Sequence, residues 1–300
     1  MDNNIASGPA QSPNKSSANP GRLTRARRLL RTAPFTARFG MVVVAIYAFV
    51  ALFAPLIAPY GEIEVVSRIP FDAWSSQHLL GTDQLGRDFL SRLIFGARNS
   101  ISIALITTII SFSIGCLLGV FSALIGGIVD QIISRFVDAL MSVPDLIFIL
   151  MILSIFGSSI PNLILIIAVL TSTRFFRISR AAALNVASLD FVEAAKARGE
   201  NLLWISVNEV FPNILPLILS ELGMRFCFIF LSIAALSFLG VGLQPPMAEW
   251  GSMVRDNAAL INMGDITPLI PAGSIALLAV AVNFVVDWLL NRASGLNEEG

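Results

Sequence analysis

Among the ionisable residues inside long apolar runs of this 300-residue chain are Asp145, directly after Pro144, and Glu221 and Arg225, four residues apart. At helical spacing positions 221 and 225 share one face. An ion in hydrocarbon is costly unless it is paired or wetted, so two chemistries fit these groups: a structural salt bridge, or the lining of a route for an ion or polar solute. Asp138 and Asp287 stand nearer the ends of their runs, where anchoring the bundle explains them as well as contact with a solute. Little else in the chain suits catalysis. His78 is the only histidine, which leaves a histidine metal cage or a Ser/His relay without material, and it reads as a solvated loop residue. Cys116 and Cys227 lie in apolar runs and read as small hydrophobes. Lys15 and Lys196 follow Asn14 and Ala195 rather than glycine, so there is no Walker A phosphate loop; HExxH and GxSxG are also absent. No cofactor, metal or nucleic acid is expected.

The elements that must position these charges are membrane helices. Hydrophobic residues make up 55% of the chain and charged ones only 13%, with a mean hydropathy of +0.78, far from the soluble average. A helix needs about 20 apolar residues to cross a bilayer. Six runs qualify, at 40–59, 99–126, 132–157, 160–178, 214–242 and 267–290. They are continuous rather than alternating, which predicts an all-α membrane protein of six transmembrane helices and not a barrel. Gly115-x-x-x-Gly119 permits a close helix approach, and Gly126-Gly127 marks a turn. Pro144, Pro161 and Pro271 either kink spans or mark their ends.

Charge distribution orients the bundle. Residues 1–39 carry seven basic residues (Lys15, Arg22, Arg25, Arg27, Arg28, Arg31 and Arg38) against the single acid Asp2, which predicts a cytoplasmic amino terminus. Alternation then assigns fourteen basic residues to cytoplasmic segments, Arg174, Arg177 and Arg180 among them, and five to external ones, with Arg225 in the membrane. Both termini are expected in the cytoplasm. Residues 1–20 are rich in Ser, Asn, Pro and Gly and predict a disordered tail. Arg27-Arg28 ahead of an apolar run also fits a twin-arginine or secretory signal, but five further spans and the lack of a clear cleavage site argue against that. The expected organisation is a basic tail at 1–39, a first span and extracytoplasmic loop at 40–98, a five-span core at 99–292 and a short cytoplasmic tail at 293–300.

The segment 188–213 is built to form two short helices. Asp190 is placed to cap the first, with Glu193 three residues on as in a capping box; Gly199 ends it, and Pro212 stops the second before the next span. Glu193-Ala194-Ala195-x-x-x-Gly199, followed thirteen residues later by Pro212, resembles the EAA loop of bacterial ABC importer permeases. The resemblance implies that Glu193, Ala194, Ala195 and Gly199 belong to a coupling helix docking on a cytoplasmic ATPase. Phe211 and Glu209 depart from residues common there.

His78-Leu-Leu-Gly-Thr-Asp-Gln-Leu-Gly-Arg-Asp-Phe-Leu-Ser-Arg92 is similar to the signature HPLGTDxxGRDxxSR of the C-type permeases of dipeptide, oligopeptide and nickel importers, with His-Leu in place of His-Pro. Leu236–Pro246 and Glu249-Trp-Gly251 resemble the same subunits, so the likeness runs from about Arg31 to Arg292. It implies a permease fold and an importer in the bacterial inner membrane. The partners it implies are a second related permease, two ATP-binding subunits and an extracytoplasmic substrate-binding protein. The cargo would be a peptide or similar small solute, with ATP hydrolysed in the partners. The alternative from the residues alone is a secondary transporter driven by an ion gradient, with Asp145 and Glu221 as coupling sites.

Overall fold

The computed structural model describes residues 33–293. Most of the expected tail at 1–39 and nearly all of the one at 293–300 lie outside the described residues. Helix α1 spans Phe35–Ile57, α2 Phe89–Ile125, α3 Gly127–Met141, α4 Asp145–Phe156, α5 Ile160–Ala187, α6 Asp190–Ala197, α7 Leu202–Ile205, α8 Phe211–Phe238, α9 Trp250–Asn257 and α10 Leu269–Ala293. Among the described residues, five stretches are long and apolar enough to cross a membrane, and α3 with α4 would make a sixth, bent by 89°. The fold is the expected helical membrane bundle, with different joints.

Four limits differ from the sequence expectation, each for a local reason. Helix α2 begins at Phe89, ten residues before the apolar run, because the Asp88 side chain accepts the Ser91 backbone N–H at 2.7 Å and caps it. The run 132–157 is broken rather than straight, since Pro144 sits in extended backbone at the head of α4. Helix α5 continues past 178 to Ala187, so Arg174, Arg177 and Arg180 lie on a helix and not in a loop. Pro212 does not stop a separate helix: α7 runs through a π-helical turn, Ser206–Val210, directly into α8. The wide turn lets the Phe211 N–H reach the Ser206 carbonyl, and proline, with no N–H of its own, follows without a broken bond.

The long helices α2 and α5 form the spine. A Cβ on Gly115 would stand 2.5 Å from the Phe175 Cβ, and one on Gly119 would stand 2.7 Å from the Phe176 carbonyl oxygen, so the two glycines set the approach of these helices. Two apolar cores flank the spine. One gathers Phe89, Ile149, Leu163, Ile167, Phe230 and Trp250; the other gathers Val120, Phe175, Val192, Ala195, Ile205 and Ile214. The second core carries the short helix α6. Large apolar side chains such as Phe49, Leu52, Ile132, Ile147 and Leu165 face outward, as lipid requires.

Candidate functional site

Helix α6 follows α5 after a two-residue break and lies with one face on the bundle. Val192 and Ala195 are buried in the second core, whereas Glu193, Ala194 and Gly199 are exposed. Ala195 therefore seats the helix rather than presenting itself to a partner. The expected cap does not form: Leu189 occupies the N-cap position and makes no side-chain bond, while Asp190 is the first helical residue. Asp190 and Glu193 still sit in the first turn, where carboxylates complement the helix dipole. The other end forms as expected. Gly199 has φ +82°, its N–H reaches the Lys196 carbonyl at 3.0 Å, and the Glu200 N–H reaches the Ala195 carbonyl at 3.2 Å. This pair of bonds is a Schellman closure, which needs a left-handed residue at that position. Beyond it, Arg198 approaches Glu209 at 3.9 Å and lies over the Trp204 ring at 6.0 Å, tying α6 to the α7 turn.

The membrane charges separate into two kinds. Glu221 and Arg225 meet on α8 as an ion pair, with side chains 18% and 13% exposed. Asp145 pairs across helices with Arg174 of α5 at 2.7 Å, and these side chains are 49% and 38% exposed. The sequence reading found Asp145 but counted Arg174 among the cytoplasmic charges. A further ionic site was missed: Arg180 of α5 pairs with Asp130 of α3, which also accepts a hydrogen bond of 2.5 Å from the Ser122 hydroxyl. The spacing of Arg174, Arg177 and Arg180 at every third residue was the available signal that the helix continued.

The segment carrying the second resemblance is a buried ionic knot. Asp83 accepts from Arg87 Nε at 2.7 Å and from the Leu85 and Arg87 backbone N–H groups, and Arg92 Nε lies 3.2 Å away. His78 is buried beside Asp88 at 3.4 Å, correcting its reading as a solvated residue. Arg92 donates to the Glu62 and Pro246 carbonyls, and Glu62 Oε1 accepts from Asn99 at 2.8 Å and from the Ala248 N–H at 2.6 Å. Glu249 caps α9 by accepting the Ser252 N–H at 2.8 Å. Burial pushes its carboxyl above the usual range, against the opposing pull of the Gly251 and Ser252 backbone and the Ser237 and Ser100 hydroxyls. Trp250 donates to the Leu93 carbonyl at 3.0 Å and packs edge-on against Tyr47. Three distant segments are thereby locked together at one end of the bundle. Among the described residues, no three His, Cys, Asp or Glu side chains gather as a metal site.

The model of a family described as the inner membrane component of binding-protein-dependent transport systems matches residues 115–294. The chain belongs to that family. This permease also matches, over residues 26–68, a model for the N-terminal membrane domain of oligopeptide transport permease C. The dipeptide transport system permease protein of Haemophilus influenzae is 32% identical over 259 residues, covering 84% of this permease and 88% of that protein. Its counterpart in Escherichia coli K12 is 36% identical over 256 residues, 83% and 85% of the two chains. A di/tripeptide transport system permease protein of Pseudomonas aeruginosa is 33% identical, over 83% and 84%. A solved chain of an amino acid ABC transporter superimposes with a TM-score of 0.49 at 20% identity, over 68% and 95% of the two chains. Family membership makes the permease a translocation component of an ABC importer rather than an enzyme. The alternative driven by an ion gradient gains nothing from these relatives.

Proposed function

We propose that this permease pairs with a second, related permease and imports short peptides handed over by an extracytoplasmic binding protein, while two cytoplasmic ATPases act on it through α6. The observation that carries this reading is the division of α6 into a buried face, Val192 and Ala195, and an exposed one, Glu193, Ala194 and Gly199. A helix held on the core by one side and free on the other can take a push and pass it to α5 and α8 as a body. The peptide cargo is supported by the dipeptide systems to which the relatives in Haemophilus influenzae and Escherichia coli belong. In this reading both termini and α6 face the cytoplasm, as the basic residues suggest. Residues 1–39 and 293–300 are tails, 40–98 the first span with its external loop, and 99–292 the translocating core.

The test is uptake of labelled dialanine into proteoliposomes containing the assembled complex with its binding protein. Uptake should require ATP and persist when ion gradients are collapsed. Uptake driven by a proton or sodium gradient without ATP would overturn the reading.

A further inference from the structure

We propose that the Asp145–Arg174 pair is an exchangeable charge lock on the transport route, opened by a zwitterionic solute whose ammonium group takes Asp145 and whose carboxylate takes Arg174. This rests on the reading of the chain as a peptide permease.

Depth is the first observation. Arg174 stands near the midpoint of α5, Ile160–Ala187, about 20 Å of helix from either end. Asp145 is the first residue of α4, at the 89° break in the bent span. Both groups therefore belong to segments long and apolar enough to cross a membrane, where an ion facing hydrocarbon is strongly disfavoured.

Openness is the second. The Asp83–Arg87 pair has side chains 4% and 5% exposed and the Glu221–Arg225 pair 18% and 13%, whereas Asp145 and Arg174 are 49% and 38% exposed. A closed pair can be structural; one this open within membrane-spanning segments needs water or a polar ligand around it.

The third observation is a second guanidinium group beside the pair. One turn further along α5 the exposed Arg177 reaches across the break to the Met141 sulfur at 3.8 Å, and among the described residues no carboxylate lies within salt-bridge reach of it. A second guanidinium group thus stands one turn from the Asp145–Arg174 pair. A solute carboxylate can bind before Arg174 releases Asp145, and guanidinium suits it because the planar donors match both oxygens. Asp145 stays stabilised while it waits, because it lies in the first turn of α4, at the positive end of that helix. In the locked and the open state every ion has a partner, so exchange proceeds without stranding a charge, and a solute lacking either terminus would strand one.

Two measurements test this on the full complex. In lipid nanodiscs, Arg174→Cys should react with a water-borne alkylammonium methanethiosulfonate, while the unsubstituted complex, whose Cys116 and Cys227 are buried, gives the blank. In proteoliposomes, the double variant Asp145→Asn/Arg174→Gln carries no unpaired ion; it should assemble with its partner subunits and elute with them as one complex. Its dialanine uptake should fall by about tenfold or more, the factor that losing one charge-assisted contact is worth. A purely structural pair would leave the uncharged variant transporting normally, and that result overturns the proposal. An Arg174→Cys complex that does not react overturns it too, since the position would then be covered by lipid or by the second permease. ATP-driven uptake by the unsubstituted complex, measured alongside, separates either failure from a failure of the peptide-permease reading itself.

Discussion

The two ends of this permease are held together by opposite means. At the end formed by residues 58–92 and 239–268, buried ions and hydrogen bonds join segments distant in the chain: Asp83 with Arg87 and Arg92, Arg92 with Glu62 and Pro246, Glu62 with Asn99 and Ala248. At the α6 end a single short helix rests on Val192 and Ala195 and is closed by Gly199, with Arg198 reaching beyond it to Glu209 at 3.9 Å and over the Trp204 ring. Directional bonds in a dry setting fix one geometry and penalise every other. Apolar contacts through small residues fix a face while allowing it to slide or tilt. The first end suits a platform and the second a lever.

That contrast can be broken most forcefully at Asp83. Replacing it by alanine strands Arg87 and Arg92 in a buried site, at a cost of about 3–5 kcal/mol. The extracted variant should lose its folded, monodisperse fraction and melt far below the parent. A variant as stable as the parent would mean the knot is dispensable and the platform is held by apolar packing alone.

The Glu221–Arg225 pair is the next test, because it lies between the two ends and belongs to neither. Removing one partner leaves an ion in a half-buried site, which should cost about 3 kcal/mol, while removing both should cost less. Membrane-inserted yield should therefore be higher for Glu221→Gln/Arg225→Gln than for either single variant. Equal yields for all three would make this pair as open as Asp145–Arg174.

A smaller energetic effect with a large functional one is expected at Gly199. No atom lies within 4 Å of where a Cβ would sit, so the obstacle to a side chain is the left-handed backbone alone, φ +82°, worth about 1 kcal/mol or more. Gly199→Val should insert and extract normally. ATP hydrolysis stimulated by the loaded binding protein, and uptake with it, should fall sharply as the docking face of α6 is misplaced. Near-normal values for both would remove Gly199 from the lever.

The smallest effect is expected at Asp190. It makes no capping bond, and only its favourable position at the start of α6 remains to be lost, about 0.3–1 kcal/mol. Asp190→Ala should change melting slightly and leave stimulated hydrolysis intact. A loss comparable to that of Gly199→Val would show that the residue contacts a partner instead.

Legibility of these features follows their span in the chain. Glu221 and Arg225 pair at four residues' separation, and Gly199 closes a helix through bonds to Lys196 and Ala195, so both could be read from spacing. Asp190 was misread although local, because Leu189 already supplies the extended N-cap residue and leaves Asp190 inside the helix. Arg174 was half legible: it lay inside the run 160–178 yet was counted with the cytoplasmic charges, and the helix continued past that run because α5 packs along α2 there, with Phe175 and Phe176 buried against Gly115 and Gly119.

By itself the sequence determined the solvent, the helical class and the permease family, since long apolar runs admit few structures in lipid and the motifs around Gly199 and Asp83 are contiguous. Only the tertiary structure decided that the third span is broken, that Arg174 meets Asp145 at that break across 29 residues, and that Glu62 serves Asn99 and Ala248 from 37 and 186 residues away. Such contacts depend on how helices cross, and a crossing is set by the combined packing of both partners rather than by the period of either one.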